Sequence, residues 1–416
     1  MESWGSLSRF ILLFLSYLLS SPDPAQVRPN FIYNTLDIDT SPIMGSLAKT
    51  HKGAVLYGPQ DLRIEDVLTV PPEENQVQIR VRATGICGTD MHYFQNARNG
   101  IYVVREPLIL GHEAAGEISA VGKNVTNFKI GDRVIVEPQR PCEKCIVCRR
   151  GRYNLCNEMK FSGSASCYPP VQGSLQQVYN HAASFVYPLP DNVSFVEGAL
   201  VEPLAVALHA VRRSGVETGQ SVLVLGAGAV GLLCAAAAKI AGTSTVNIVD
   251  IDQGKLDFAL GKGTKNGKGV ADKVYRIPLS PNEGESRTDF AARIADDTLA
   301  QPGFGLVDVV FECTGVDTCM NIAIQCTTKG GKVVMVGLGT PVQSLNIGLA
   351  GVHEVDLLGI WRYANTFPTA IELLRTGQID LKPMITHTYE LERVAEALKF
   401  TLSRPDDLVK CVITCE

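Results

Sequence analysis

Residues 221–231 read Ser-Val-Leu-Val-Leu-Gly-Ala-Gly-Ala-Val-Gly, and this stretch decides the fold of the middle of the chain. Its apolar start, residues 221–225, predicts a buried strand, and the small residues over 230–241 predict a helix after it. A second strand is predicted over residues 245–249. A strand, a helix and another strand at this spacing form a βαβ unit, which belongs to a parallel sheet.

Three glycines at the turn between strand and helix predict a dinucleotide site. Gly226 permits the tight turn, Gly228 lets the backbone approach a pyrophosphate, and Gly231 lets the helix pack on the strand. Asp250 stands 19 residues beyond Gly231, at the end of the next strand. A carboxylate there accepts hydrogen bonds from the adenosine ribose and repels a 2′-phosphate, so NAD is favoured over NADP. The alternative is a glycine-rich turn that binds nothing.

The regions around this unit define the domain organisation. Strand and helix patterns continue to alternate toward the C-terminus, at residues 306–311, 320–327 and 332–336. Before the unit, short strands such as 76–83 are separated by glycine turns, which favours an antiparallel, barrel-like domain. The sequence therefore predicts an α/β protein with a β-rich domain in two parts and a dinucleotide-binding domain between them. We place these at 51–204 with 353–416, and at 205–352.

The composition limits the classes of function. The chain has 416 residues, of which 45% are hydrophobic and 19% charged, and its net charge is -5. Such a chain buries a large core and does not have the composition of a disordered protein. The mild negative charge provides no basic face for a nucleic acid and no polybasic patch for a membrane.

Two short motifs upstream of the parallel sheet offer metal ligands. One contains Cys87, and the other contains His112 and Glu113. A thiolate, an imidazole and a carboxylate are good zinc ligands, and three protein ligands leave an open position for catalysis. Glu202, at the junction of the domains, is a candidate outer ligand or water-binding group. Each residue alone has a structural explanation, as a buried thiol, a hydrogen-bonded imidazole or a solvated carboxylate, but together they favour a catalytic zinc.

Four of the twelve cysteines lie close together in a lobe over residues 142–156. Four thiolates at short spacing close a tetrahedral shell without an open position, as in a structural zinc site. Nearby Lys144, Arg149, Arg150 and Arg152 would offset the negative charge. An iron–sulfur cluster or two disulfides are the alternatives. The predicted ligands are Cys142, Cys145, Cys148 and Cys156.

Residues 1–43 form an extension of different character. Arg9 precedes an apolar run, residues 10–19, which is too short to span a bilayer but is similar to the apolar region of a secretory signal. The other interpretation is that Met44 is the natural start and the extension is dispensable. The second interpretation agrees with the cytoplasmic location expected of a zinc protein with thiolate ligands.

Together these motifs resemble the zinc-containing medium-chain dehydrogenase/reductase superfamily, and within it the polyol dehydrogenases that act on sorbitol, xylitol or arabinitol. The resemblance covers about residues 51–416. It implies a GroES-like β-rich domain and a Rossmann dinucleotide-binding domain. The segments that carry it are Gly-Ile-Cys-Gly-Thr-Asp-Met-His-Tyr (85–93), Leu-Gly-His-Glu-Ala-Ala-Gly (110–116), Glu-Pro-Leu (202–204), Val-Gly-Leu-Gly (336–339) and Trp-Arg-Tyr-Ala-Asn-Thr (361–366).

The resemblance also implies roles for individual residues. The three catalytic zinc ligands keep that role, with Glu202 beside the metal. Thr89 is expected to start a proton relay that His92 continues to solvent. Substrate contacts are expected from Tyr93, Glu202, Arg362 and Tyr363. Cofactor contacts are expected from Gly226, Gly228, Val230, Gly231, Asp250, Lys255, Val336, Leu338 and Ile360.

The sequence thus predicts zinc- and NAD-dependent oxidation of a secondary hydroxyl of a small polyol to a ketose. The alternative enzymes are dehydrogenases of threonine, of butanediol or of a secondary-metabolite alcohol. Trp361 and Phe367 make the substrate rim bulkier than is usual in the group, which affects substrate identity. A catalytically silent protein on the same fold is a third hypothesis. A homo-oligomer, either a dimer or a tetramer, is expected.

Overall fold

The computed structural model describes residues 49–262, 264, 267–339 and 341–415. The extension over residues 1–43, with its interpretation as a signal or as a dispensable segment, lies outside the described residues. Among the residues that are described, no helix is both long and apolar enough to cross a membrane.

Strands are numbered along the chain. They are β1 (Thr50–Gly58), β2 (Asp61–Leu68), β3 (Gln76–Gly85), β4 (Arg98–Asn99), β5 (Tyr102–Val103), β6 (Leu108–Ile109), β7 (Glu113–Val121), β8 (Arg133–Val136), β9 (Gln139–Arg140), β10 (Lys160–Phe161), β11 (Val178–Ala182), β12 (Val186–Pro188), β13 (Ser221–Leu225), β14 (Thr245–Asp250), β15 (Lys273–Arg276), β16 (Val307–Glu312), β17 (Thr327–Met335), β18 (Asp356–Gly359), β19 (Ile385–Glu390) and β20 (Lys410–Thr414).

Helices are numbered in the same way. They are α1 (Gly88–Asn96), α2 (Ile146–Arg149), α3 (Phe195–Ala199), α4 (Val201–Ser214), α5 (Ala229–Ile240), α6 (Gln253–Ala259), α7 (Arg287–Leu299), α8 (Asp317–Cys326), α9 (Ile347–Val352), α10 (Phe367–Arg375) and α11 (Val394–Ser403). Short 3-10 turns occur at Tyr153–Leu155, Ala183–Phe185, Lys382–Met384 and Leu391–Arg393.

A seven-stranded sheet forms the β-rich part of the protein. Its order is β12-β8-β7-β3-β20-β19, and β11 also pairs with β3. Along β3 the residues Val77, Ile79, Val81 and Ala83 are buried, while Gln78 and Arg80 between them are not. This alternation has the two-residue period of a strand with one face in the core. It agrees with the predicted β-rich domain.

A six-stranded parallel sheet forms the second part, in the order β15-β14-β13-β16-β17-β18. Counted along the chain, the strand order is 3-2-1-4-5-6, which is the order of a dinucleotide-binding Rossmann sheet. Strand β13 is apolar throughout its buried positions because it is central and covered on both faces. The α/β fold class predicted from the sequence is confirmed.

The C-terminal limit predicted for the dinucleotide-binding domain needs a correction. Strand β18 lies after residue 352, yet it pairs in parallel with β17, with Val333 opposite Leu357 and Met335 opposite Gly359. A four-residue strand between two helical segments is a weak pattern in sequence, and only its pairing reveals which sheet it joins. We therefore propose that the chain returns to the β-rich domain after Gly359 instead of at 353.

One apolar cluster continues through both sheets. It contains Ala83 and Ile135 of the β-rich sheet, Val222 and Val224 of the parallel sheet, and Leu204 of α4. Helix α4 begins at Val201, so it includes the last four residues that the sequence assigned to the β-rich domain. As a result, Glu202 lies in the first turn of a helix that is packed into this shared core.

Candidate active site and cysteine lobe

The predicted catalytic ligands meet because two strands pair. Strand β3 ends at Gly85, which lies opposite Glu113 at the start of β7. Cys87 then caps the N-terminus of α1, and His112 immediately precedes β7. The ligand atoms of Cys87, His112 and Glu113 all lie within 4.8 Å of one another. We call these three residues the catalytic cluster.

Asp90 orients two members of the catalytic cluster and was not predicted from the sequence. Its buried carboxylate accepts hydrogen bonds from the N–H groups of Cys87 at 3.0 Å and Gly111 at 2.9 Å. Its Oδ1 atom also lies 3.5 Å from Nδ1 of His112. Because Nδ1 faces Asp90, Nε2 is the ring nitrogen left for a metal. The spacing Cys-x-x-Asp at a helix start was the available signal.

Lys410 is a second residue that the sequence did not predict. Its buried ammonium group lies 2.7 Å from Oε1 and 2.6 Å from Oε2 of Glu113, and it donates to the carbonyl of Ile86 at 2.8 Å. A carboxylate has lone pairs for both an ammonium group and a metal. The space is closed from the other side, since a β-carbon on Gly85 would collide with Oε2 of Glu113.

The donor set fits a zinc ion with an open position. The three ligand atoms come from a thiol, an imidazole and a carboxylate. Asp90 and Lys410 contact His112 and Glu113 without occupying every lone pair, so each residue of the cluster keeps an atom that can bind the metal. The imidazole of His112 also contacts the ring of Phe161, with the centroids 5.3 Å apart. The catalytic cluster is therefore rigidly supported on several sides.

Glu202 approaches the catalytic cluster from α4. Its side chain is buried, and burial together with the neighbouring charge of Glu113 raises its pKa to about 7, although His112 acts in the opposite direction. The hydroxyl of Tyr363 lies near Glu202 but has no hydrogen-bond partner among the described groups. A carboxyl with a pKa close to 7 can hold or release a proton at neutral pH.

The predicted substrate residues are placed differently from one another. Arg362 stacks on two aromatic rings, with Cζ 3.9 Å from the ring centre of Phe161 and 4.8 Å from that of Trp361. Within the described part of the chain it makes no ion pair or hydrogen bond, and burial lowers its pKa. Tyr93 is completely buried, and its hydroxyl is already bonded to Ser164 and to the N–H of Ala165.

The predicted relay residues do not contact each other. The hydroxyl of Thr89 accepts a long hydrogen bond, 3.4 Å, from Asn99. His92 is exposed and lines a cleft of about 1080 Å³ together with Leu338, a predicted cofactor contact. A further hydroxyl or a water molecule is needed to connect Thr89 with His92, so the relay stays a prediction.

The glycine turn has the backbone that a dinucleotide site requires. Gly226 has φ of 98°, and a β-carbon on Gly231 would strike the carbonyl of Gly226. A β-carbon on Gly228 would meet nothing within 4 Å, which leaves room for phosphates at the start of α5. Asp250 fastens this turn by accepting from the N–H of Ala227 at 2.5 Å.

The remaining predicted cofactor residues surround this turn. Lys255 forms an ion pair with Asp252 at 3.3 Å and not with Asp250. Leu338 is 63% exposed and faces the cleft. Three others are partly buried apolar side chains packed on the shared core, at the start of α5 and directly after β17 and β18: Val230, Val336 and Ile360.

The cysteine lobe brings its four thiols together without a disulfide. The ligand atoms of Cys142, Cys145, Cys148 and Cys156 lie within 4.8 Å of one another. The Sγ of Cys145 is 3.4 Å from that of Cys148 and 4.0 Å from that of Cys156. Zinc–sulfur bonds of about 2.3 Å in a tetrahedron place sulfurs about 3.8 Å apart, so the arrangement fits zinc.

Comparison with known families agrees with this geometry. The pattern of the alcohol dehydrogenase GroES-like domain matches residues 73–191, and that of the zinc-binding dehydrogenases matches residues 229–376. Sorbitol dehydrogenase of Bos taurus is 40% identical over 87% of this chain and 95% of its own length. The chain belongs to the zinc-containing alcohol dehydrogenase family. Its activity is that of a dehydrogenase, and zinc and a nicotinamide dinucleotide are the cofactors of the family.

Two further members of the zinc-containing alcohol dehydrogenase family are informative. L-idonate 5-dehydrogenase of Vitis vinifera is 38% identical over 86% of this chain and 93% of its own length. The solved structure of 2R,3R-butanediol dehydrogenase from Bacillus subtilis is 31% identical and has a TM-score of 0.73, over 88% of this chain and 99% of that one. The predicted superfamily and its two-domain architecture are confirmed.

Proposed function

We propose that this dehydrogenase oxidises a secondary hydroxyl of a small polyol with NAD and gives a ketose. The observation that carries the proposal is a set of polar groups without partners beside the catalytic cluster. Within the described residues, the buried hydroxyl of Tyr363 has no hydrogen-bond partner, and Arg362 has no polar contact. Buried polar groups are normally paired, so a ligand with several hydroxyls is the natural complement.

The comparisons support a polyhydroxylated substrate. The relatives named sorbitol dehydrogenase and L-idonate 5-dehydrogenase align over nearly their whole lengths. A simple alcohol with one hydroxyl would leave Arg362 and Tyr363 unpaired after binding, which costs about 1–3 kcal/mol for each unsatisfied group. The polar pocket and the relatives therefore support the same class of substrate.

The residues of the chain have distinct parts in the proposed reaction. Zinc in the catalytic cluster would polarise the reacting hydroxyl, and NAD would accept the hydride. Glu202, buried in the first turn of α4 beside the cluster, would bind that hydroxyl or a water molecule next to the metal. Thr89 and His92 remain the proposed route for the proton to solvent. Asp250 favours NAD because it would repel a 2′-phosphate.

A butanediol- or threonine-type dehydrogenase is the second candidate. The 31% identity to the solved 2R,3R-butanediol dehydrogenase favours it. Butanediol has one hydroxyl besides the reacting one, so it would pair with fewer of these groups than a polyol, whereas threonine would offer Arg362 a carboxylate. The chemical groups that the substrate offers to Arg362 and Tyr363 therefore separate the candidates.

A substrate panel tests the proposal. Purified full-length protein is assayed with sorbitol, xylitol, L-idonate, 2,3-butanediol and threonine, each with NAD and with NADP, while zinc is measured by elemental analysis. We expect about two zinc ions per chain and NADH formation with a polyol. Cys87→Ser should lose the activity, whereas Cys167→Ser, at a thiol outside both cysteine-containing clusters, should keep it. Turnover of threonine alone would reject the polyol assignment.

Location and assembly belong to the same proposal. All twelve cysteines are unpaired in the structure, which supports a reducing compartment such as the cytoplasm. A homo-oligomer is proposed as well. Light scattering on the purified protein would measure the number of subunits, and a monomer would contradict this part.

A further inference from the structure

The cysteine lobe is the loop of a short hairpin that reaches the active site. Strands β9 and β10 pair in register, with Gln139 opposite Phe161, and the lobe over residues 142–156 connects them. A metal bound by the four thiols of the lobe would therefore also hold the two strands together. Both strands carry side chains toward residues 361–365, which include Arg362 and Tyr363. We call residues 361–365 the substrate segment.

The lobe itself bonds to both ends of the substrate segment. Asn154 donates to the carbonyl of Trp361 at 2.8 Å, and the N–H of Asn365 donates to the hydroxyl of Tyr153 at 2.9 Å. The side-chain amide of Asn365 donates to the carbonyl of Gly151 at 2.7 Å. These contacts join parts of the chain that are more than 200 residues apart, so they are tertiary and not local.

The two strands of the hairpin hold the middle of the substrate segment. Gln139, which is completely buried on β9, donates to the carbonyl of Tyr363 at 2.9 Å. Phe161 on β10 contacts both the guanidinium group of Arg362 and the ring of His112. The hairpin thus touches the substrate arginine and a ligand of the catalytic cluster at the same time.

The backbone of the substrate segment requires such external support. Arg362 has φ of 51° and Asn365 has φ of 58°. Left-handed conformations cost residues with a β-carbon about 1–2 kcal/mol each. Two such residues within four positions would relax to ordinary conformations if the bonds from the lobe were removed, and the guanidinium group of Arg362 would move with them.

We propose that the cysteine lobe positions the substrate segment, so that Tyr153 and Asn154 set the substrate affinity of the enzyme through Arg362. The inference rests on the proposed polyol dehydrogenase function. In this arrangement the four thiols contribute to substrate recognition as well as to stability. Tyr153 and Asn154 act as positioning residues, since they touch the segment and not the substrate.

A matched pair of tyrosine variants isolates the effect. Tyr153 and Tyr187 each donate a hydrogen bond to the buried carboxylate of Glu137, at 2.8 Å and 2.9 Å. Only Tyr153 also accepts from Asn365. Each of the variants Tyr153→Phe and Tyr187→Phe therefore removes one hydrogen bond to Glu137, to Oε1 and to Oε2 respectively, but only the first releases the substrate segment.

The kinetic readout compares the change in KM with the change in kcat for each variant. For Tyr153→Phe we expect KM for the polyol to rise about three- to tenfold, the effect of one lost hydrogen bond, while kcat changes less than about twofold. KM for NAD and the zinc content should stay the same. Tyr187→Phe should leave the polyol KM unchanged. Asn154→Ala provides a second variant of the lobe if Tyr153→Phe folds poorly.

A fluorescence readout does not depend on turnover. The sequence contains two tryptophans, Trp4 and Trp361, and Trp361 belongs to the substrate segment. In the full chain with Trp4→Phe, emission reports on this segment alone. Adding Tyr153→Phe should shift the emission to the red and increase quenching by acrylamide, whereas adding Tyr187→Phe should do neither.

The possible outcomes separate the two proposals. Equal quenching and equal polyol KM for both tyrosine variants would overturn the positioning role of the lobe. A quenching difference in a protein that does not oxidise polyols would keep the positioning role and reject the proposed substrate. A rise in KM without any change of the Trp361 emission would also count against the lobe, because the segment would not have moved.

Discussion

Replacing Lys410 by methionine tests the ion pair beneath the catalytic cluster. The ammonium group lies 2.7 Å from Oε1 of Glu113, and only 5% of Lys410 is exposed. At an effective dielectric constant of about 20, two unit charges at this distance attract by about 6 kcal/mol. Part of that energy offsets the cost of burying both charges. Removing one partner of a buried pair lowers the free energy of unfolding by about 3–5 kcal/mol. With zinc bound we expect the lower end, because a metal also compensates Glu113.

The assay is urea unfolding of the zinc-loaded protein, with Lys52→Met as the control. Lys52 pairs with Asp66 at 3.0 Å, but both side chains are about half exposed, at 45% and 61%. The same substitution there should cost at most about 1 kcal/mol. Lys410→Met should also release zinc to a chelator more slowly, since the site loses a positive charge. Equal midpoints for the two variants would refute the argument that the buried pair stabilises the site.

Three further predictions concern other parts of the protein. Tyr363→Phe should leave the urea midpoint nearly unchanged, because the hydroxyl has no partner, while raising the polyol KM; an unchanged KM would remove this hydroxyl from the site. Gly231→Ala should destabilise the protein, because the added β-carbon collides with the carbonyl of Gly226, whereas Gly228→Ala should fold normally. Gly228→Ala should instead lose affinity for the cofactor in an NADH fluorescence titration, and the opposite pattern would contradict the proposed phosphate position. Burial and nearby arginines lower the pKa of His209 to about 4, so the free energy of unfolding should fall as the pH drops from about 6.5 to about 4. His209→Asn should flatten this dependence, and urea midpoints that change with pH in parallel for the variant and the unchanged protein would show that His209 does not contribute.

Local features of the site were predictable because they depend on neighbouring residues. The turn at Gly226 and the packing at Gly231 follow from a glycine pattern between an apolar strand and a helix. The four cysteines of the lobe lie within fifteen positions, so their spacing alone indicates a shared metal. Strand β13 was predicted with its observed limits, since its apolar run follows polar residues and ends at the glycine turn that starts with Gly226.

Other features were not predictable because their partners are distant along the chain. Lys410 and Glu113 are 297 residues apart, and no local pattern marks a C-terminal lysine as the partner of a metal ligand. Tyr93 belongs to a motif that suggested a substrate contact, yet its hydroxyl bonds to Ser164 and Ala165, which only the packed structure brings near. Strand β18 is similar, since four residues acquire their sheet through pairing.

The sequence by itself determined the two-domain α/β architecture, the dinucleotide turn and the sets of metal-binding side chains. Each of these depends on residue types at short, regular spacing, where backbone geometry dictates the outcome. The tertiary structure decided how the charges and the substrate segment are held. Glu113 is neutralised by Lys410, and the left-handed backbone of Arg362 and Asn365 is held by the cysteine lobe. Such contacts form only when distant segments pack together, because burial makes an unpaired charge or a strained backbone costly unless a partner is present.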